Sequence, residues 1–174
     1  MLSIDATASI LGHACWLEAR CFELLGGWVP TITDPDLKLL AARHSRHHGW
    51  HVELLGEVLP ATRDHDPLRL VAPADPQWAD VVTVVRGDTT TSALDRLTGL
   101  YQAFLPRLVA GHVEGLDATS PVSDGPVARR IRIVLEDERA DLAEGLAALE
   151  ACAGAPVDQT AERRATVEAA LPPR

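Results

Sequence analysis

The residue types best suited to chemistry are concentrated in the stretch RHSRHHGWH, Arg43 to His51, which holds four of the seven histidines. Neutral imidazole nitrogens bind transition metals, and histidine exchanges protons near neutral pH. At about 100° per residue, His44, His48 and His51 share the apolar stripe of a predicted helix, in places where leucine is expected. Two histidines four residues apart on one helical face can chelate one ion. The stretch therefore predicts an imidazole-rich site that faces the core.

Acidic side chains and one tyrosine occupy or border the stripes of three other predicted helices. Glu18 borders the stripe of the first helix, and Tyr101 lies in that of the third. Glu138, at the centre of the fourth stripe, is interpreted either as a metal ligand or general base, or as the partner of a histidine in a buried ion pair. Tyr101 is interpreted either as a donor of a proton or an electron, or as a packing residue. The candidate catalytic residues are Tyr101 and Glu138, and the candidate metal ligands are Glu18, His44, His48, His51, Glu138 and Asp141.

Helix register predicts which of these residues meet. Helices joined by a short turn run antiparallel, so residues equally far from the turn lie at the same height. On this basis Glu18 is level with His44, and Tyr101 is level with Glu138. His112 lies closer to its turn and is expected in an end layer, with a structural role. Each unpaired polar group at mid-bundle depth costs about 1 to 3 kcal/mol, so these groups are expected to pair with one another or to bind water or an ion.

Four stretches with helical periodicity position the candidate residues. Apolar residues make up 47% of the chain and aromatic residues only 4%, a balance that favours helices over sheets and predicts an all-α fold. Asp34-Pro35 and the SDGP stretch that ends at Pro126 are cap-plus-proline helix starts. Pro106 is expected to kink the third helix without ending it, because the apolar period continues on both sides. The predicted helices cover about residues 4–27, 35–58, 92–116 and 126–153.

Residues 60–88 form a long connection without a helical period. A loop of more than about 15 residues needs a reason, and in a four-helix bundle that reason is a crossover between the second and third helices. The run VVTVV, Val81 to Val85, is expected to be a short extended piece anchored by Trp78. Chain length favours a single four-helix-bundle domain over residues 1–154, followed by a tail, residues 155–174, that is a short helix or disordered.

Charge and composition limit the expected partners and location. The formal net charge is −9 and no basic cluster gathers on a predicted face, so neither nucleic acid nor a membrane is expected as a partner. The three cysteines are expected to be reduced, and no leader or long apolar run is recognised, which favours a cytoplasmic protein. Trp16 and Trp50 fall outside their stripes, and this predicts a helix-packed homodimer.

The arrangement resembles the ferritin-like superfamily over about residues 4–153, with four helices, a long crossover and inward polar residues halfway along. Family members with a di-iron site carry a carboxylate from each of two helices and a Glu-x-x-His pair from each of the other two. Glu18 matches the carboxylate of the first helix. On the second helix, His44-x-x-His47 and His48-x-x-His51 keep the spacing, with histidine in the glutamate position.

The other two helices match the ferritin-like pattern in part. Glu138-x-x-Asp141 keeps the glutamate, and the third helix has Tyr101 and Gln102 where a carboxylate is expected. The resemblance implies a divergent or degenerate di-iron site, with iron or another transition metal as the cofactor. One function that follows is a metal-dependent oxidoreductase that oxidises or hydroxylates a small molecule. The alternative is a non-catalytic ferritin-like scaffold with a decayed metal site, which binds a ligand or associates with a protein.

Overall fold

The described part of the chain, residues 2–152 and 157–173 of a computed structural model, is helical and contains no strand. The predicted all-α class is therefore confirmed. A π-helical segment, Leu100–Phe104, joins α5 to α6, and a short 3-10 turn, Val29–Thr31, follows α1. The helices are α1 (Ile4–Trp28), α2 (Pro35–Gly56), α3 (Pro67–Leu70), α4 (Gln77–Arg86), α5 (Ala93–Gly99), α6 (Leu105–Asp117), α7 (Gly125–Ala151) and α8 (Val157–Ala170).

Local signals fix the start of the helix that carries the histidines. The Asp34 side chain accepts hydrogen bonds from the backbone N–H groups of Asp36 and Leu37, at 3.0 and 2.9 Å, and Pro35 occupies the first turn. This cap satisfies two N–H groups that have no partner inside the helix. The predicted starts of α1 and α2 are confirmed, and α7 begins one residue before the predicted start.

The polar candidate residues lie between two apolar clusters. One cluster includes Leu24, Leu25 and Leu40, and the other includes Leu11 and Leu55. Along α2, leucines at both ends of the inward stripe flank the three histidines, all of which are fully buried. Helix α1 packs along α2, and α7 packs against α2 and α6. The polar layer is thus enclosed by helices on its sides and by apolar side chains above and below.

The connection between α2 and α5 contains helices α3 and α4, so the expectation of an extended VVTVV piece is wrong. Val81, Val82 and Val85 are buried on one face of α4, whereas Thr83 is exposed. β-branched residues have only a weak preference against helix, and burial of a helical apolar face outweighs it. Trp78 is buried as expected and packs edge-on against Phe104, with ring centroids 6.1 Å apart.

The predicted irregularity near Pro106 takes the form of a π-helical segment. The backbone N–H of Leu105 bonds to the carbonyl of Leu100, one residue further back than in an α-helix. Proline has no N–H and disturbs the preceding turn, and single π-helical turns occur frequently at functional sites. Tyr101 lies in this segment and is fully buried. The irregular turn therefore sets the position of the one tyrosine in the chain.

Helix α8 packs against α4 and α5 through the buried side chain of Val167. The predicted choice between a short helix and disorder in the tail is resolved in favour of helix for residues 157–170, while residues 153–156 lie outside the described part of the chain. Among the described helices, none has both the length and the apolar character required to cross a membrane.

Candidate metal centre

Four buried side chains from three helices form a closed ring of nitrogen and oxygen atoms. His48 Nδ1 lies 2.7 Å from Glu18 Oε2 and 3.0 Å from Glu138 Oε1. His51 Nδ1 lies 3.2 Å from the same Glu18 oxygen and 3.1 Å from the same Glu138 oxygen. All four side chains have no solvent exposure. We call this set, Glu18, His48, His51 and Glu138, the central cluster.

The dimensions of the central cluster suit a divalent transition metal ion. A four-coordinate ion with ligands at about 2.0 to 2.2 Å keeps neighbouring ligand atoms roughly 2.8 to 3.6 Å apart, depending on geometry. The four measured N···O distances, 2.7 to 3.2 Å, overlap this range and need only a small expansion. Two imidazoles and two carboxylates form a donor set used by iron and zinc. The cluster could therefore hold a metal ion.

Outer partners orient two of the four candidate ligands. His112 Nε2 lies 2.8 Å from Glu18 Oε1, and His51 Nε2 lies 3.4 Å from Asp137 Oδ2. Hydrogen bonds of this kind fix the orientation of a ligand, and a carboxylate behind an imidazole, as at His51, also raises the basicity of the imidazole. The expectation that His112 belongs to an end layer is wrong, because its ring reaches the mid-bundle carboxylate. Asp137 is partly exposed and contacts His51.

Two polar atoms of the central cluster have no hydrogen-bond partner among the described residues. They are Glu138 Oε2 and His48 Nε2, and both are buried. A buried polar group without a partner costs about 1 to 3 kcal/mol, and more when it is charged. A cation beside Glu138 would provide a partner for its free oxygen. In the described part of the chain, no carboxylate lies behind the His48 ring, whereas Asp137 lies behind that of His51.

Electrostatics inside the central cluster favour ionised carboxylates and protonated histidines when no metal is bound. Burial raises the pKa of Glu18 and Glu138, but hydrogen bonds and charge from the histidines outweigh it and hold both pKa values below the usual range. Burial lowers the pKa of His48 and His51, but the two carboxylates outweigh it; the pKa of His51 rises to about 10 and that of His48 lies well above its usual value. Two negative and two positive charges then balance.

A second acidic and imidazole cluster lies on the adjacent turn of α2 and α7. His44 Nε2 lies 3.1 Å from Glu144 Oε2 and 3.4 Å from Asp141 Oδ1. His47 Nδ1 lies 2.9 Å from Asp141 Oδ2. The Glu144 side chain is 48% exposed, so this cluster opens to solvent. We call His44, His47, Asp141 and Glu144 the outer cluster; three of them, His44, Asp141 and Glu144, also have ligand atoms close enough to share an ion.

Sequence reasoning did not single out Glu144, although a signal was present. Glu138, Asp141 and Glu144 recur every three residues along α7 and therefore follow one another around its inward face. Glu144 lies at the border of the apolar stripe, and about half of its side chain is exposed, so periodicity alone does not mark it as an inward residue. Its contact with His44 makes it a member of the outer cluster.

Helix register predicts Glu18 level with His44 and Tyr101 level with Glu138, and the observed contacts of Glu18 and Tyr101 differ from both. Glu18 contacts His48 and His51, whereas Tyr101 contacts His44. Side chains lean toward the N-terminus of their own helix. Because α1 and α2 are antiparallel, Glu18 leans toward the C-terminal half of α2 and meets histidines beyond the level of its own Cα. The candidate residues therefore divide into two clusters.

Tyr101 is hydrogen-bonded to the outer cluster. Its hydroxyl lies 2.8 Å from His44 Nδ1. Since His44 Nε2 faces carboxylates, which only accept, that nitrogen carries the proton, and in neutral His44 the Nδ1 atom accepts from the tyrosine hydroxyl. Burial lowers the pKa of His44 and raises the pKa of Tyr101 well above its usual value, so both groups are neutral in this arrangement. Tyr101 therefore fixes the orientation of the His44 ring.

Replacing Gly145 with alanine is expected to lower the free energy of unfolding by about 1 to 3 kcal/mol, because it overpacks the contact with Tyr101. A Cβ atom at this position would lie 2.3 Å from Tyr101 Cδ1. Urea titration measures the effect. Gly111→Ala is the matched control, since a Cβ there meets nothing within 4 Å and alanine favours helix. Equal stability of the Gly145→Ala protein and wild type would contradict close packing of Gly145 against the Tyr101 ring.

Comparisons of the chain with protein-family models, with curated proteins and with solved structures found no match.

Proposed function

We propose that this protein is a ferritin-like four-helix-bundle metalloprotein that binds iron in the central cluster and oxidises or hydroxylates a small organic molecule. The carrying observation is the closed ring of four buried donor atoms from Glu18, His48, His51 and Glu138. The buried Glu138 oxygen without a partner among the described residues adds support, because a cation would satisfy it.

The bundle assignment rests on four long helical stretches. These are α1, α2, the run from α5 through α6, and α7, with the long connection between the second and third stretches. Donors of the central cluster come from α1, α2 and α7, and the run α5 to α6 contributes His112 behind Glu18. This placement of inward polar side chains is typical of metal sites built in a bundle core.

Each residue of the central cluster has a distinct task in the proposed function. Glu18 and Glu138 provide two negative charges that neutralise a divalent ion, while His48 and His51 provide nitrogen donors. His112 and Asp137 orient Glu18 and His51. When bound, iron with histidine and carboxylate ligands supplies the redox chemistry that activates dioxygen.

The outer cluster has an accessory task in the proposed function. Its carboxylates and His44 provide a second position for a cation one helical turn from the first. The half-exposed Glu144 gives this position access to solvent. The Tyr101 hydroxyl donates a hydrogen bond to His44 Nδ1, and Tyr101 is the proposed donor of a proton or an electron.

A non-catalytic scaffold with a decayed site is the second candidate function. The balance of two carboxylates and two protonated histidines favours it, since the central cluster is then neutral without a metal. In this alternative, Glu138 Oε2 keeps its unfavourable burial without a partner. Such a protein would bind a ligand or another chain and would have no affinity for metal ions.

Anaerobic reconstitution of chelator-treated protein distinguishes the two candidates. We expect ferrous iron to bind at a stoichiometry of at least one ion per chain and to raise the melting temperature, because a ligand that binds only the native state stabilises it. Metal analysis and calorimetry measure this, with zinc, copper and nickel as comparisons. The His65→Ala protein is the control, since His65 contacts Asp5 outside both clusters. Absence of stoichiometric metal together with an unchanged melting temperature would exclude the metalloprotein.

The homodimer predicted from exposed tryptophans stays a prediction. Trp50 is 47% exposed and lies near Phe22, which is 48% exposed, whereas Trp16 is half-buried beside Arg20. Two neighbouring exposed aromatic side chains support a contact surface at this place.

A further inference from the structure

A cavity of about 580 Å³ lies beside the central cluster, between α1, α4, α6 and the C-terminal residues. Its walls are mainly apolar, and include Leu11, Leu17, Trp78 and Leu108. His112 also lines the cavity, and its ring connects the cavity to Glu18. Small-molecule sites commonly have volumes of roughly 300 to 1,000 Å³, apolar walls and a few polar groups. This cavity has those properties.

The protonation of His13 in the cavity wall follows from its hydrogen-bond partner. His13 Nδ1 accepts a hydrogen bond from the backbone N–H of Ala74 at 3.1 Å, so Nδ1 carries no proton and Nε2 is a donor. His112 Nε2 donates to Glu18 Oε1. Burial and the neighbouring His112 lower the pKa of His13 to about 4, in agreement with a neutral ring.

Charged groups around the cavity do not favour an ionic ligand. The guanidinium of Arg107 donates to the carbonyl oxygens of Pro172 and Pro173, at 3.4 and 3.2 Å, and is therefore engaged by the backbone. Asp75 and Glu114 are exposed and lie at the mouth. Two carboxylates against one engaged guanidinium disfavour an anion, and the neutral His13 offers no charge to attract one.

We propose that this cavity is a binding site for an uncharged small molecule with an apolar body and a hydroxyl group. The hydroxyl oxygen accepts a hydrogen bond from His13 Nε2, and the apolar body occupies the space between Leu17, Trp78 and Leu108. A hydroxyl oxygen accepts this bond without carrying a charge. The inference goes beyond the metal centre, since it depends on the cavity and needs no bound ion.

Binding of three matched probes to chelator-treated protein tests the ligand class. We expect p-cresol to bind at least about 10-fold more tightly than p-xylene, which lacks the hydroxyl and leaves His13 Nε2 without a partner. p-Toluate, which carries a charge, is expected to bind at least as weakly as p-xylene. Calorimetry gives the affinities, and the NMR signal of the Trp78 indole N–H locates the probe. Equal affinities for p-cresol and p-xylene, or no binding by either, would overturn the proposal.

Two variants test whether the probe binds in the cavity and whether it contacts His13. Gly111 lines the cavity and has open space at its Cβ position, so Gly111→Phe is expected to reduce p-cresol affinity at least about 10-fold by filling the cavity. Gly56→Phe is the control, at a glycine with open space in α2 that does not line the cavity. His13→Phe is expected to retain p-xylene binding and to lose the preference for p-cresol. Unchanged p-cresol binding by Gly111→Phe would also refute this site.

Failure of this test and failure of the metal proposal are distinguishable. The probe measurements use metal-free protein, whereas reconstitution uses no organic ligand. A protein that binds p-cresol but no metal would support the cavity and the non-catalytic scaffold together. A protein that binds iron but none of the probes would retain the metal centre and lose the cavity proposal.

Discussion

Glu18→Gln protein is expected to bind ferrous iron at least about 100-fold more weakly than wild type. Loss of an outer partner alone typically lowers metal affinity 10- to 100-fold, and Glu18 is placed as a direct ligand. Its carboxylate also contacts His48, His51 and His112, so the substitution removes the anion on which three histidines converge. Anaerobic competition titration against a chromophoric chelator measures the affinity.

Glu23→Gln is the matched control for this experiment. Glu23 lies on the same helix, its side chain is 44% exposed, and it pairs with Arg20 on the surface. Glu138→Gln provides an independent test from α7, with the same expected direction. Wild-type iron affinity in both Glu18→Gln and Glu138→Gln proteins, with native circular dichroism, would show that iron binds elsewhere. The decayed scaffold predicts no measurable iron affinity in wild type or in any of these variants.

Metal-free protein is expected to lose stability as pH rises from 6.5 toward 10, whereas metal-loaded protein is expected to keep it. Without metal, the raised pKa of His51 contributes stability that is fully present below the unfolded value of 6.5 and is lost as pH rises through the folded value of about 10. The contribution falls by up to about 1.4 kcal/mol per pH unit within this window. The lowered pKa values of Glu18 and Glu138 contribute stability above 4.5 that is lost as pH falls through their folded values.

Metal binding cancels this loss because the ion displaces the imidazolium protons, so the two histidines are unprotonated in both the native and the unfolded state above pH 6.5. Displacing one proton makes the apparent affinity about 10-fold higher per pH unit, and displacing two makes it about 100-fold higher. The central cluster is expected to release two protons per ion, from His48 and His51. Calorimetry in buffers of different ionisation enthalpy counts the released protons, and denaturant titration with and without iron gives the two stability curves.

His51→Phe protein separates the contribution of the central cluster from that of other titrating groups. The difference in unfolding free energy between metal-free wild type and His51→Phe is expected to decrease from pH 6.5 toward pH 10. Parallel curves for the metal-free and iron-loaded wild type, or iron binding without proton release, would contradict the assignment of His48 and His51 as ligands.

The sequence by itself determined the four long helical stretches and the inward direction of the histidines, because both depend on local order. Caps such as Asp34-Pro35 act within one turn, and a stripe of apolar residues at helical spacing needs burial wherever the helix packs. His44, His48 and His51 occupy that stripe, and the structure buries all three completely. Histidines at stripe positions where leucine is expected can therefore be recognised from the sequence alone.

Only the tertiary structure decided which of these residues meet. The lean of side chains on antiparallel helices directed Glu18 to residues one turn further along α2, and the π-helical segment placed Tyr101 on His44. The helical state of VVTVV, the reach of His112 to Glu18 and the contact of Glu144 with His44 likewise depend on partners distant in the chain. Periodicity gives the face of a helix on which a residue lies, whereas a metal site requires distances between atoms on different helices. Those distances follow from helix offset and crossing, which the packing of the whole core sets.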